Sequence, residues 1–157
     1  MSSYDIFQEV RVGNVGIYFS DVGDKFSIEV VNEYNENLLH TAIAYDRLNV
    51  CIDLIDRGID VNHQNEDGNT PLHYALEHQS GQIVKAIIDK NVDVNLVNKY
   101  GNEPLWTAVF NARGDYDAVK SVLAKGGNPN HKNKHNLSPL DMAIRFADPE
   151  LIKILKI

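Results

Sequence analysis

The chain repeats itself with a fixed period. The segment EDGNTPLHYAL, Glu66 to Leu76, returns as KYGNEPLWTAV, Lys99 to Val109, a shift of 33. It also stands upstream as EYNENLLHTAI, Glu33 to Ile43, again a shift of 33. A fourth copy, KHNLSPLDMAI, Lys134 to Ile144, follows after a shift of 35. A second landmark, DVN, occurs at Asp60–Asn62 and Asp93–Asn95 and, weakened to NPN, at Asn128–Asn130, moving in step with the first. A period of this length implies small units that cannot bury an apolar face alone and must stack on their neighbours.

Within each unit the apolar residues mark two short helices. Leu38, Leu39, Ala42 and Ile43 form one stripe, and Val50, Cys51, Leu54 and Ile55 a second. Ile83, Val84, Ile87 and Ile88, and then Ala118, Val119, Val122 and Leu123, are the equivalents of the second. Helices this short are unstable in isolation. Gly58, Asn91 and Gly126 are expected to close the second helices in a left-handed conformation.

The pattern resembles the ankyrin repeat family, most specifically in TPLH at Thr70–His73 and GIDVN at Gly58–Asn62. The resemblance is clear from Glu33 onward and weak over positions 1–32. It implies an all-α ankyrin-repeat solenoid of about five helix–turn–helix units with finger loops. One domain, 1–157, would hold units near 1–33 (a degenerate cap), 34–66, 67–99, 100–134 and 135–157. In the first unit Ile6, Phe7 and Val10 would line one helix, Gly13 and Asn14 the turn, and Ile17, Tyr18 and Val22 a second helix. The competing reading of this unit is a β-hairpin, because VRVGNVGIYF is rich in β-branched residues.

Composition narrows the function. A net charge of −7 argues against a nucleic-acid surface. The single cysteine, Cys51, allows no internal disulfide and suits a reducing compartment. The first residues, MSSYDIFQEV, lack the pattern of a secretion signal, and no apolar run is long enough to span a membrane, so a cytoplasmic location is expected.

Candidate chemistry is sparse. His40 and His73 occupy the tetrapeptide position whose histidine, in the family, bonds neighbouring backbone and locks the turn. His131 and His135 are four apart but fall in a finger loop without a carboxylate or thiolate at ligand spacing. Cys51 lies on a buried stripe, where a small hydrophobe belongs. No catalytic residue, metal site, cofactor or small-molecule substrate is therefore expected.

What remains is surface. The resemblance implies a concave face made of finger tips and exposed first-helix positions, where partners dock. On this sequence those positions are Glu33, Tyr34, Glu36, Ala44 and Tyr45; Glu66, Asp67, Asn69, Glu77 and His78; Lys99, Tyr100, Asn102, Phe110 and Asn111; and Lys134, His135, Leu137, Arg145 and Phe146. Aromatic residues beside charges have the composition of interface anchors. Of Tyr34, Tyr45, Tyr100, Phe110 and Phe146, two are expected to pack on the next unit and three to stay accessible. Charge is uneven too. Residues 1–98 hold 6 Lys and Arg against 16 Asp and Glu, and residues 99–157 hold 9 against 6. Stacking converts this into a spatial gradient that would steer a basic protein partner onto the first three units.

Three departures stand out. Trp106 and Asp141 replace the tetrapeptide histidine, so those turns are expected to lose their lock. NARGDYD, Asn111 to Asp117, carries two extra residues that must bulge between helices. The apolar end, with Ile154 and Ile157 where Asp53 and Asp56 stand earlier, suggests a contact with another chain or a tail curling onto the solenoid. The expected function is binding and blocking or tethering a partner protein. A sharper form is an immunity protein that neutralises a basic toxin; the competing form is an adaptor, regulator or pathogen effector in a host cell.

Overall fold

A computed structural model describes residues 5–14 and 27–156. Its helices are α1 (Ile6–Val12), α2 (Leu38–Ala44), α3 (Leu48–Asp56), α4 (Pro71–Glu77), α5 (Gly81–Ile88), α6 (Pro104–Asn111), α7 (Asp117–Ala124), α8 (Pro139–Arg145) and α9 (Pro149–Leu155). Among the described residues there is no β-strand, only one isolated bridge between Val31 and Asn37. The helices form two layers. The first helices α1, α2, α4, α6 and α8 pack in a row, and α3, α5 and α7 pack as the row behind it. The fold is the expected all-α solenoid.

Local sequence explains where each helix begins. Proline opens α4, α6 and α8, where its missing N–H costs nothing. The side chains of Asn37, Thr70 and Ser138 cap the first turn of α2, α4 and α8 by accepting from the amide three residues on. Each first helix is only seven or eight residues long, so packing and not propensity must hold it. The stripes expected to be buried are buried: Leu39, Leu72 and Leu105 are all at 0% exposure, and Val50, Cys51, Leu54 and Ile55 line the same continuous core.

The turns repeat as the sequence does. Gly13, Asp46, Gln79 and Ala147 occupy equivalent inter-helix positions, all with positive φ, and in the lengthened turn Arg113 and Gly114 take that conformation instead. Gly13 ends α1, so the first unit shares the turn geometry of the others. Residues 10–12 are helical, which overturns the β-hairpin reading there. The helix expected at Ile17, Tyr18 and Val22 lies outside the described residues. The two extra residues fall where expected. Residues 112–116 separate α6 from α7, whereas three residues separate the other pairs.

Two expectations about helix ends are corrected in part or whole. Gly58 (φ 84°) and Gly126 (φ 94°) are left-handed, and the following amides, Ile59 N–H and Gly127 N–H, donate to Leu54 O and Val122 O. Asn91 is not left-handed; Val92 N–H donates to Lys90 O instead, and a tighter turn closes α5. Ile154 is buried at 7% exposure in the same continuous core, which fits the end packing onto the solenoid and not a contact with another chain; Ile157 lies outside the described residues.

The DVN landmark has a clear role. Asp60, Asp93 and Asn128 accept, through Oδ1, from the amides of Asn62, Asn95 and Asn130 at 2.8–2.9 Å. Each such side chain replaces a backbone partner at the start of a finger.

Candidate functional site

The finger tips are built by a rung that recurs with the sequence period. Glu66 N–H donates to Tyr34 O at 3.0 Å, Lys99 N–H to Asp67 O at 2.7 Å, and Lys134 N–H to Tyr100 O at 2.9 Å. Asn32, Asn65, Asn98 and Asn133 hold each tip, their Oδ1 atoms accepting from the amides two and four residues on. Gly68 turns one tip with φ +75°, and a Cβ there would meet the Asn98 backbone at 3.0 Å. Side chains between the asparagines therefore project from a rigid edge.

This edge and the ends of the first helices enclose an open cleft of about 550 Å³. Expected surface residues from two units line it together: Tyr34, Glu36, Ala44, Tyr45, Asp67, Asn69, Glu77 and His78. Arg11, Thr41 and Tyr74 complete the wall. Tyr74 is the one that matters most among those the sequence reading missed as contributors. Its hydroxyl donates to Glu36 Oε1 at 2.5 Å and accepts from Asn65 Nδ2 at 3.1 Å, and its ring meets His40 edge-on at 5.0 Å. Burial first, and then the Glu36 carboxylate, push the phenol above its ordinary pKa, so it stays a donor. Asn32 Nδ2 donates to the other Glu36 oxygen at 2.8 Å.

The remaining expected positions lie elsewhere. Glu33, Glu66, Lys134 and His135 are exposed along the tips. Lys99 pairs with Asp67 Oδ1 at 2.9 Å and lies over the Tyr100 ring at 5.1 Å. Asn102 is not part of the open surface. It is 8% exposed, its Oδ1 accepting from Asn133 and its carbonyl facing His73. Asn111 is half-buried, donates to Thr107 O, and faces a different cleft beside the inter-helix turn. The expectation that two aromatic rings would be covered is also corrected: Tyr34, Tyr45, Tyr100, Phe110 and Phe146 are all at 46–55% exposure. Trp106 stacks on Phe110 at 5.1 Å, and Phe110 approaches Phe146 at 6.1 Å, which makes an aromatic row along α6 and α8.

A family description, ankyrin repeats in three copies, matches residues 39–133. The chain belongs to the ankyrin-repeat family. A comparison with curated proteins gives no match. Ankyrin repeats are protein–protein interaction scaffolds, and this chain is one of them.

The ankyrin tetrapeptide accounts for the buried polar groups behind the face. His73 Nδ1 accepts from Thr70 N–H at 3.2 Å, and Nε2 lies 3.1 Å from Asn102 O. Burial pushes the His73 imidazole down to about 4, so it is neutral. His40 reaches the next finger likewise, with Nε2 3.0 Å from the Asn69 carbonyl, but its Nδ1 lies 2.8 Å from Asn37 Oδ1 and not against an N–H; burial lowers its pKa to about 4 against the pull of that carbonyl. The expectation of a lost lock is wrong at Asp141. Its Oδ2 accepts from Ser138 N–H and Ser138 Oγ, both at 2.8 Å, and from Lys132 Nζ, so a carboxylate closes the same box. It is right at Trp106. Glu103 gives α6 no side-chain cap, and Glu103 Oε2 and Trp106 Nε1 are buried without partners.

Cys51 is fully buried, and burial pushes its thiol up to about 12, which leaves no thiolate. Among the described residues no three metal-ligating side chains cluster, and His131 is spent on Gly101 O at 3.0 Å and Glu103 Oε1 at 3.2 Å. No helix of the described residues is long and apolar enough to cross a membrane.

Proposed function

We propose that this ankyrin scaffold captures a protein partner carrying a basic segment on its finger and first-helix face, and acts by occupying that partner. The observation that carries the reading is the cleft, which gathers Tyr34, Glu36, Tyr45, Asp67 and Glu77 from two units into one aromatic and anionic surface. The acidic balance of residues 1–98 adds a long-range attraction for a basic protein. Exposed rings on a pre-ordered edge cost little entropy to dock, which suits them as anchors. Neutralising a basic toxin is the sharper form of this function, with which the acidity of the first three units agrees; the alternative form is an adaptor or regulatory role.

Affinity capture on the immobilised chain, followed by titration of the captured protein at rising salt, tests the proposal. One basic partner is expected, with affinity falling steeply as salt rises. An acidic partner, or binding indifferent to salt, would count against it. For the immunity form, co-expression should restore growth to cells poisoned by that partner.

A further inference from the structure

The first-helix face changes character from its first half to its second. In the register that Glu77 occupies on α4, Phe110 stands on α6 and Arg145 on α8, and Phe146 stands where His78 does. Trp106 stacks on Phe110 with the ring planes 11° apart, and Phe110 meets Phe146 at 6.1 Å. Phe110 and Phe146 are both about half exposed. α6 packs against α4 on one side and α8 on the other, so the exposure of Phe110 does not come from lying at an end of the stack. Rings that hold one another in place lose little freedom on docking, and a contiguous apolar patch on a folded chain marks a contact surface.

The charges around this row supply a second, independent observation. None of the six carboxylates of residues 99–157 is free beside the rings. Glu103 is buried. Asp141 is held by Ser138 and Lys132, and Asp148 by the Tyr116 hydroxyl and the Leu151 amide. Asp115 lies in the lengthened turn, Asp117 opens α7, and Glu150 lies in the first turn of α9. The cations are left over. Among the described residues Arg145, directly before Phe146, and Lys134, at the finger tip, are exposed and have no ion-pair partner.

We infer that the row of Trp106, Phe110 and Phe146 receives an acidic segment of a protein partner, with apolar side chains seated on the rings and carboxylates on Arg145 and Lys134. The guanidinium of Arg145 offers a carboxylate a planar fork of donors, and the rings take the apolar anchors that a purely acidic segment lacks. Single-stranded nucleic acid would bring the same charge, but it binds by stacking bases on free ring faces, and Trp106 and Phe110 already cover one face of each other. The row shares no residue with the cleft, so the inference goes beyond the basic-partner reading and does not depend on it.

Trp106 is the only tryptophan of the chain, so its fluorescence reports this row. The test titrates the whole chain with three blocked peptides free of tryptophan. The first is Gly-Asp-Glu-Leu-Phe-Glu-Asp-Gly. The second replaces its acids by Asn and Gln, and the third replaces Leu and Phe by Gly and Ser. The first peptide is expected to shift the Trp106 emission saturably, the second to bind about threefold more weakly, and the third to give no shift. Added salt should weaken the first peptide and leave the second unchanged. Arg145→Glu should weaken the first peptide by about threefold and Phe110→Ala by about fivefold or more, read by calorimetry because Phe110→Ala alters the Trp106 signal itself. Both variants should keep the urea midpoint, since both side chains are exposed. Equal binding of the neutral peptide, unchanged affinity in either folded variant, or no binding up to the solubility limit of the first peptide would overturn the inference. So would an emission shift that grows with protein concentration without peptide, which assigns the row to a second copy of the chain. Tighter binding of a single-stranded oligothymidylate than of the first peptide would overturn it in favour of nucleic acid.

Discussion

The units built on α2 to α5 and those built on α6 to α9 share a backbone but differ in their locks and their surface. In the first pair, His40 and His73 are buried and bridge from their own turn to the next finger at 3.0–3.1 Å. In the second pair, Glu103 and Trp106 leave buried polar atoms unpaired, and Asp141 closes its turn with Ser138 and Lys132. The surface changes in step, from tyrosines and carboxylates around the cleft to the row Trp106, Phe110 and Phe146. Yet Leu72 and Leu105 are equally buried at 0% exposure. Packing carries the repeat, while the lock can vary without loss of the fold.

The largest effect should therefore be common to both halves. Leu72→Ala and Leu105→Ala should each cost about 2–5 kcal/mol in urea denaturation, because both open a cavity between units. Ile144, the equivalent of the buried Leu76 and Val109, is 53% exposed because no further unit covers α8 among the described residues. Ile144→Ala should cost well under about 1 kcal/mol, in line with an exposed site.

Acid should separate the halves. His73 sits at about 4 in the fold against 6.5 when unperturbed, so the folded state binds fewer protons between those values. Its contribution is present above pH 6.5 and is lost as pH falls toward 4. That lowering corresponds to a loss of about 3 kcal/mol. Glu103 works in the opposite sense. Burial raises it above 4.5, so its carboxylate is disfavoured in the fold, and acidification through that raised value relieves it. Hydrogen exchange at falling pH should show α4 opening before α6. Simultaneous opening would break the contrast.

On the binding face, Tyr34→Ala should weaken the captured partner by about 1–3 kcal/mol with no change in fold. Tyr100→Ala should do the same. If either variant unfolds the chain, that ring belongs to the core. The smallest effect is expected at the missing lock. Glu103→Thr with Trp106→His should restore the tetrapeptide of the preceding unit and stabilise the chain by about 1 kcal/mol, measured as a shift of the urea midpoint.

Much of this was legible in the repeat. Its period located every helix pair in the described residues, and the stripes named Val50, Cys51, Leu54 and Ile55 as core. The extra residues of NARGDYD had only one place to go, because the apolar landmarks on both sides stayed in register. What the repeat hid were side chains that act across it. Tyr74 belongs to the cleft because its hydroxyl reaches Glu36 in the preceding unit, and Thr41 and Thr107 at the equivalent position give no hint of it. Asn102 looked like finger surface, but its side chain is drawn inward by Asn133. Asp141 looked like a lost histidine, although a short carboxylate beside a capping serine can accept the same bonds.

The central claim is that the finger and first-helix face of the acidic half holds a basic partner. Amide hydrogen exchange of the chain with and without its captured partner tests it most directly. Protection should concentrate at residues 33–45 and 66–78, with little change along α3, α5 and α7. Protection confined to those second helices, with the finger amides unchanged, would contradict it.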